Sequence, residues 1–188
     1  MKRIAIFASG SGTNAENIIH YSRSNKSFEV VKLYCNKPSA GIIEKASKMD
    51  IPIEIFSKNV FYLSNYIIDD LLSKKIDSIV LAGFLWLIPD SLLQAYNDKI
   101  INIHPALLPK FGGKGMYGMK VHEAVKASGE TETGITIHKI NAEYDRGEIL
   151  FQARCQLTEN DTPDSIAQKI HQLEFEHFPR IIDSFLQQ

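Results

Sequence analysis

Short apolar segments that alternate with helix-like segments constrain the fold of this chain more than any other feature. Five such segments are rich in Ile, Val, Leu or Phe, and each is followed by a glycine, a proline or a polar residue, as buried strands are. The predicted strands are Arg3–Ala8, Val30–Cys35, Pro52–Phe56, Ser78–Ala82 and Ile100–His104. Strands that alternate with crossover helices form a parallel sheet with helices on both faces.

The segments between these strands carry apolar residues at helical spacing. Thr13 or Asn14 is the predicted N-cap of the first helix, which ends at about Ser24, and Ser39 is the predicted N-cap of the second. Two further helices are predicted over about Phe61–Lys75 and Pro89–Tyr96. Each predicted strand is thus connected to the next by a helix, as a parallel pairing requires.

After residue 130 the pattern changes. Gly134–Ile140 and Ile149–Leu157 are predicted strands with too few residues between them for a crossover helix, which predicts an antiparallel hairpin. A closing helix is expected over Thr162–Leu186, and Pro179 is expected to kink or interrupt it. The predicted fold is therefore α/β, a Rossmann-like and mostly parallel twisted sheet with helices on both faces and a C-terminal antiparallel hairpin. No repeat or linker divides the chain, so residues 1–188 are predicted to form a single domain.

Charge and hydropathy exclude several classes of function. Lys and Arg number 21 against 22 Asp and Glu, a net charge of -1, whereas a nucleic-acid protein needs a basic surplus. The longest apolar runs are far shorter than the ~20 residues of a membrane span, and no segment fits a signal peptide. Cys35 and Cys155 form no C-x-x-C motif and no disulfide framework. We therefore expect a cytoplasmic protein without a membrane or nucleic-acid partner.

A glycine-rich loop, Gly10-Ser11-Gly12-Thr13-Asn14-Ala15, directly follows the first predicted strand. Ligands of open α/β sheets bind beyond the carboxyl ends of the strands, where glycines and a helix N-terminus bring backbone N–H groups to an anion. The spacing also fits the dinucleotide pattern G-x-G-x-x-A, but no acidic residue ends the second strand to hold a ribose. The loop favours a mononucleotide or sugar phosphate over NAD, and a tight turn without any ligand stays an alternative.

Asn102 and His104 are two residues apart at the end of the fifth predicted strand, so their side chains share one face. Together an amide and an imidazole can stabilise the oxyanion that forms when a carbonyl is attacked. A buried structural histidine is the alternative. Asp145, in the turn of the predicted hairpin, matters only if the hairpin folds back over this strand end, where its carboxylate would favour the imidazolium of His104.

No metal site and no nucleophilic serine are predicted. The other histidines, His20, His122, His138, His171 and His177, lack the H-x-x-x-H and H-E-x-x-H spacings. No serine stands in a G-x-S-x-G motif. The sequence therefore predicts direct attack of one substrate on another, without a covalent enzyme intermediate.

Four motifs together resemble one family. They are Ala8-Ser9-Gly10-Ser11-Gly12-Thr13-Asn14, Leu81-Ala82-Gly83-Phe84, Asn102-Ile103-His104-Pro105-Ala106-Leu107-Leu108-Pro109 and Asp145-Arg146-Gly147, in this order. Over nearly its whole length the chain resembles the phosphoribosylglycinamide formyltransferases, folate-dependent enzymes of purine synthesis. The resemblance implies transfer of a formyl group from 10-formyltetrahydrofolate, a co-substrate, to the amine of glycinamide ribonucleotide. It implies no bound cofactor and no metal, and both a monomer and a homodimer are compatible with it.

The resemblance also implies a role for each matching residue. The catalytic set would be Asn102, His104 and Asp145. The ribonucleotide would bind Gly12, Thr13 and Asn14 through its phosphate, and also Glu174 on the last helix. The folate would bind Leu85, Trp86, Leu87 and Ile88, mainly through backbone groups, and also Asn102, with Asn141 to Asp145 closing over the pterin. The phosphate-binding half would be about residues 1–100 and the folate and catalytic half about 101–188, with a cis bond at Leu108-Pro109.

The sequence departs from the commonest family pattern in three places. Trp86 stands where many members have arginine, and the loop Phe111–Met119 is longer and richer in glycine. Around Lys58–Tyr66 no residue clearly corresponds to the basic residue that many members use near the folate glutamate. Three alternatives are a formyltetrahydrofolate hydrolase, a methionyl-tRNA formyltransferase and a non-catalytic nucleotide-binding module. The first two would need an additional domain, and the third leaves the predicted catalytic set without a use.

Overall fold

The structure, a computed structural model, describes residues 1–187 and contains one seven-stranded sheet in that range. The strands are β1 (Lys2–Ala8), β2 (Phe28–Cys35), β3 (Ile53–Ile55), β4 (Ser78–Leu81), β5 (Ile100–His104), β6 (Glu132–Lys139) and β7 (Ile149–Gln156). Their order is β3-β2-β1-β4-β5-β6-β7, and the pairings among β1 to β5 are parallel. β6 is antiparallel to β5, and β7 is antiparallel to β6. The predicted fold class is confirmed.

Residues 1–187 also contain seven helices, of which six lie between strands and the seventh follows β7. They are α1 (Thr13–Asn25), α2 (Ile42–Lys48), α3 (Lys58–Leu63), α4 (Tyr66–Ser73), α5 (Asp90–Ala95), α6 (Met119–Ala127) and α7 (Pro163–Leu186). In that range, no helix combines the length and apolar character needed to cross a membrane.

Side chains that alternate along the strands fill a core on each face of the sheet. In β1, Ile4 and Ile6 lie in the core that α1, α2, α6 and α7 cover. Ala5 and Phe7 lie in the other core, which α3, α4 and α5 cover, and Phe7 stacks on Tyr34 with ring centroids 4.7 Å apart. A sheet buried on both faces explains why its strands are apolar runs rather than alternating segments.

The order of the strands brings the predicted site residues to one edge. The chain leaves β1 toward β2 and later returns to β4 on the other side of β1, which makes a topological switch point between β1 and β4. The carboxyl ends of β1, β4 and β5 are therefore neighbours. The loops that follow these ends begin at Ser9, Ala82 and Pro105.

Both predicted N-cap assignments are wrong. The N-cap of α1 is Gly12, in the left-handed conformation, so Thr13 and Asn14 are the first helical residues. The cap of α2 is Gly41 rather than Ser39. Neither glycine can offer a side-chain acceptor to the first turn, and at α1 this leaves backbone N–H groups free for another partner.

The helix predicted over Phe61–Lys75 is two helices, α3 and α4. Ser57 caps α3 by accepting a hydrogen bond from the Val60 amide, which starts the helix earlier than predicted. Ser64 ends α3 in an extended conformation, and its hydroxyl donates to the Val60 carbonyl while accepting from the Tyr66 amide. A serine that hydrogen-bonds local backbone groups competes with helix continuation in this way.

The helix α7 continues through Pro179, so the predicted interruption is wrong, whereas the alternative, a kink, stays a prediction. A proline inside a helix leaves the carbonyl four residues earlier without its usual donor. Here that carbonyl belongs to Phe175, and the side-chain amide of Asn17 donates to it at 2.9 Å. The lost hydrogen bond is therefore replaced from α1. The expected cis peptide at Leu108-Pro109 is confirmed.

The sheet places a stability requirement on Gly134 in β6. A Cβ there would overlap the Ala153 carbonyl of β7 and the Leu107 side chain, and backbone cannot easily yield. We expect Gly134→Ala to lower the free energy of unfolding by about 1–3 kcal/mol, measured as a fall in Tm of several degrees. Gly41→Ala is the matched control, because a Cβ there meets its nearest neighbour at an ordinary 3.4 Å. It should stay within about 1 kcal/mol of the wild type, and equal losses in both variants would contradict the close-approach argument.

Candidate active site

A cavity of about 520 Å³ lies at the carboxyl edge of the sheet. Its walls come from the loops after β1, β4 and β5, from the glycine-rich segment before α6, and from α6 and α7. Ser9 ties two of these loops together, since its amide donates to the Gly83 carbonyl and its hydroxyl accepts from the Leu85 amide. The cavity thus lies at a place where α/β proteins bind ligands.

The loop Gly10–Asn14 forms one end of the cavity. Gly12 has a φ of 73°, and a Cβ on it would overlap the Ile42 side chain, so only glycine fits there. This turn directs the N-terminus of α1 at the cavity, with no side-chain cap on its first turn. Free backbone N–H groups and the helix dipole make this end suited to an anion.

Glu174 of α7 lies beside this loop and is 6% exposed. The Asn14 side-chain amide donates to its carboxylate at 2.9 Å, and both residues line the cavity. Burial raises the pKa of the Glu174 carboxyl to about 7, although the hydrogen bond from Asn14 acts in the opposite direction. The predicted ribonucleotide residues Gly12, Thr13, Asn14 and Glu174 therefore lie together.

His104, the last residue of β5, also lines the cavity and is 3% exposed. Its Nε2 lies 2.8 Å from the Phe111 carbonyl oxygen. A carbonyl only accepts, so this contact assigns a proton to Nε2. The other ring nitrogen, Nδ1, faces the Asp145 carboxylate at 3.6 Å. The hairpin loop does fold back over the end of β5, as the argument about Asp145 required.

The carboxylate of Asp145 is held between three groups. The Gly113 amide donates to its Oδ2 at 2.8 Å, and the same oxygen faces His104. Its Oδ1 lies 3.7 Å from Nε2 of His138. Asp145 itself has a φ of 55°, in the left-handed region that aspartate tolerates better than most residues. These contacts fix the carboxylate over the two imidazoles.

His138 belongs to the site although the sequence analysis gave it no role. It is paired with Asn102 across β5 and β6, and its Nε2 lies 3.1 Å from the Asn102 amide nitrogen. Nδ1 of His138 donates to the Lys139 carbonyl at 2.8 Å, so the neutral ring accepts from Asn102 at Nε2. This hydrogen bond orients the Asn102 amide and leaves its second N–H available. Only the register of β5 and β6 brings His138 to Asn102, and the sequence alone does not give that register.

The imidazolium predicted for His104 is not the form that the free site favours. Burial lowers the pKa of His104 below its usual value, and this outweighs the opposing effects of Asp145 and the Phe111 carbonyl. Burial also lowers the pKa of His138, against the Lys139 carbonyl and Asp145. The sequence indicates the neighbouring charge of Asp145 but not the burial of the His104 ring. His104 is therefore a neutral ring whose Nδ1 can accept a proton.

A second cavity of about 60 Å³ lies next to the first. It is lined by the predicted folate residues Trp86, Leu87, Ile88, Asn102, Asn141 and Asp145, whereas Leu85 lines the larger cavity. The Tyr62 hydroxyl donates to the Leu87 carbonyl at 2.9 Å and fixes this backbone. Asn102 and Asp145 line both cavities, so the two spaces meet at these side chains.

A basic side chain does stand near the second cavity. The Lys58 ammonium lies 5.7 Å from the centroid of the Trp86 ring, within the range of a cation–π contact. Trp86 also packs against Phe56, Phe61 and Tyr62. In the part of the chain that the structure describes, no group of His, Cys, Asp and Glu side chains is arranged to hold a metal ion.

Comparisons with known proteins identify the family of this chain. The formyl transferase family matches residues 2–182. Phosphoribosylglycinamide formyltransferase of Bacillus subtilis is 39% identical over 99% of this chain and 95% of its own. The chloroplastic enzyme of that name from Arabidopsis thaliana is 40% identical over the whole of this chain, which spans 66% of the plant protein.

Solved structures give the same result. Glycinamide ribonucleotide transformylase 1 from Geobacillus kaustophilus superposes with a TM-score of 0.90 at 35% identity, over 99% of each chain. Phosphoribosylglycinamide formyltransferase from Bacillus halodurans superposes with a TM-score of 0.87 at 36% identity, over 98% of this chain and 95% of its own. The sequence match across residues 2–182 and the shared fold together establish that the chain belongs to the formyl transferase family.

Proposed function

We infer that this chain transfers the formyl group of 10-formyltetrahydrofolate to the amine of glycinamide ribonucleotide, a step of purine biosynthesis. One observation carries the inference: Asn102 and Asp145 line both cavities, so that ligands in the two spaces meet at these side chains. Holding two reactants in contact accounts for up to ~7–11 kcal/mol of a reaction barrier. The folate is a co-substrate, and the reaction needs no bound cofactor.

The larger cavity suits the ribonucleotide. Its phosphate would bind the backbone N–H groups of Gly12, Thr13 and Asn14 at the start of α1. The Glu174 carboxylate would accept hydrogen bonds from hydroxyl groups of the sugar. The amine would then point away from the loop, toward His104, which lines the same cavity.

The smaller cavity suits the pterin. Leu85 to Ile88 would hold it through backbone groups, and Asn141 to Asp145 would close over it. About 60 Å³ is well below the ~300–1,000 Å³ of ordinary ligand sites. Residues 141–144 are exposed, so this turn is the part that would move outward to admit the folate.

In the proposed mechanism the amine nitrogen attacks the formyl carbon, and the carbonyl oxygen becomes an oxyanion. The free N–H of Asn102 donates to this oxyanion. Nδ1 of His104 accepts the proton that the amine releases, and the Asp145 carboxylate stabilises the resulting imidazolium. That proton then passes, directly or through water, to the folate nitrogen as its bond to the formyl carbon breaks. The products are the formylated ribonucleotide and tetrahydrofolate.

The proposed partners are these two small molecules, and all the proposed catalytic groups come from one chain. Cys35 and Cys155 are free thiols, which is typical of a reducing compartment. We propose that the protein acts in the cytoplasm.

The test of this function is the absorbance change of folate deformylation, followed with and without glycinamide ribonucleotide. We expect turnover only when the ribonucleotide is present, with one formylated ribonucleotide formed per folate consumed. Equal turnover in its absence would identify a hydrolase instead. No turnover in either case would favour a non-catalytic binding module.

The proposed roles of His104 and Asp145 predict that the losses in kcat caused by substituting each residue do not add. Asp145→Asn removes the charge that stabilises protonated His104, and His104→Ala removes the proton acceptor. Each should lower kcat by ~10²–10³ with little change in the ribonucleotide KM. Because both act as one unit, the double variant should be barely slower than the slower single variant.

NMR titration of His104 separates this mechanism from a general loss of structure. The pKa of His104 should fall further in Asp145→Asn, since the nearby carboxylate partly opposes the effect of burial. Glu148→Gln is the control, because it removes an exposed carboxylate that pairs with Lys139 outside the site. Fully additive losses, or an unchanged His104 pKa, would show that Asp145 acts independently of the histidine.

The raised pKa of Glu174 predicts that the KM for the ribonucleotide depends on pH. With its pKa raised to about 7, the carboxyl is ionised above that pH and protonated below it. The ionised form offers more hydrogen-bond acceptors, so we expect KM to rise as the pH falls from about 8 to about 6. Glu174→Gln should raise KM at about pH 8 by ~10-fold, the value of one hydrogen bond, and flatten the profile. The phosphate of the substrate titrates equally with both proteins, so a profile of unchanged steepness in Glu174→Gln would reject this role.

A further inference from the structure

His122 is a buried histidine in the wall of the larger cavity that the mechanism above does not use. It lies on α6, a helix that the sequence analysis did not predict, and it is 3% exposed. Within residues 1–187, its Nδ1 is buried and has no hydrogen-bond partner. Buried polar atoms in native proteins are nearly always paired, so an unpaired one in a ligand cavity calls for an explanation.

The charge state of His122 limits what it can bind. The pKa of His122 is lowered to about 4, mainly by burial, and the neighbouring His171 and His104 act in the same direction. The ring is therefore neutral near pH 7, with one nitrogen that donates and one that accepts. A neutral ring does not attract the negative charge of a phosphate. The N-terminus of α1 already provides a site for that group.

His122 lines the same cavity as the Gly10–Asn14 loop, Glu174 and His104. A ribonucleotide with its phosphate at the loop and its amine at His104 would therefore share the cavity with His122. The uncharged parts of that ribonucleotide are the sugar and the amide.

We propose that His122 is a specificity-determining residue whose imidazole hydrogen-bonds an uncharged hydroxyl or amide group of the ribonucleotide. This assignment rests on the proposed function. A neutral imidazole has one nitrogen that donates a hydrogen bond and one that accepts. Hydroxyl and amide groups can donate and accept, so they can pair with either nitrogen. The contact would give a hydrogen bond to a ring whose Nδ1 has no partner within residues 1–187.

Two variants of His122 test the contact. His122→Phe keeps a flat ring but removes the nitrogen, and should raise the ribonucleotide KM by ~10-fold, about one hydrogen bond. His122→Asn places a polar atom near the position of Nδ1 and should recover most of that loss. Neither variant should change the folate KM. Inorganic phosphate, used as a competitive inhibitor against the ribonucleotide, should bind the wild type and both variants equally.

Val125→Ala is the control for packing on the same helix. Val125 is fully buried and apolar, so this variant should lower Tm without changing the ribonucleotide KM. An unchanged KM in His122→Phe would overturn the proposal. So would a parallel loss of phosphate affinity, which would indicate a distorted phosphate loop, or a failure of His122→Asn to recover. If His122→Phe does not fold, a normal KM in an alanine variant, His122→Ala, would overturn it equally.

Failure of the proposed function gives a different result. In that case the wild type itself shows no ribonucleotide-dependent formyl transfer, and the role of His122 falls with it. If the wild type is active and the variants keep its KM, only the inference about His122 is wrong.

Discussion

The antiparallel pairing of β5 with β6 is the constraint on which the rest of the site depends. In this register Asn102 stands opposite His138, and the two side chains form a hydrogen bond on the face that carries the site. A shift of one residue would turn His138 to the other face, because side chains alternate along a strand. The pairing therefore orients the one amide that faces both cavities. It also begins the hairpin whose loop brings Asp145 over the end of the parallel sheet.

Burial decides the electrostatics of this site. His104 and His138 both lie under Asp145, and a carboxylate at 3.6 to 3.7 Å favours a protonated imidazole. Both rings are nonetheless almost fully covered, and the cost of burying a positive charge is larger, so the pKa of each is lowered. The result is a neutral base beside a fixed negative charge. In the proposed mechanism the Asp145 carboxylate stabilises the site most when His104 has taken up the proton of the amine. That stabilisation therefore comes at the step of the reaction that needs it.

The sequence predicted the features that depend on local residue patterns or on family motifs. The five parallel strands, the hairpin and the meeting of Asn102, His104 and Asp145 follow from apolar periodicity, turn residues and family motifs. The sequence did not predict features that depend on contacts between distant segments. The pairing of His138 with Asn102 depends on strand register, and the unbroken helix at Pro179 depends on a donor from Asn17. The helix α6 follows a run of glycines, and only its packing against the core reveals it.

The turn from Phe111 to Gly113 couples the two reactive groups. The Phe111 carbonyl accepts from Nε2 of His104, and two residues later the Gly113 amide donates to Asp145. The first contact keeps the proton on Nε2 and so leaves Nδ1 as the nitrogen that faces the carboxylate and the cavity. The second holds the carboxylate opposite that nitrogen. A backbone segment of three residues thus sets both the tautomer of the base and the position of its counter-charge. Both contacts are made by backbone groups, so neither can be assigned from the side chains of the segment. Its one side-chain requirement is a small residue at the centre, because a Cβ on Gly112 would come within 2.5 Å of Leu108 and 3.2 Å of Asp145.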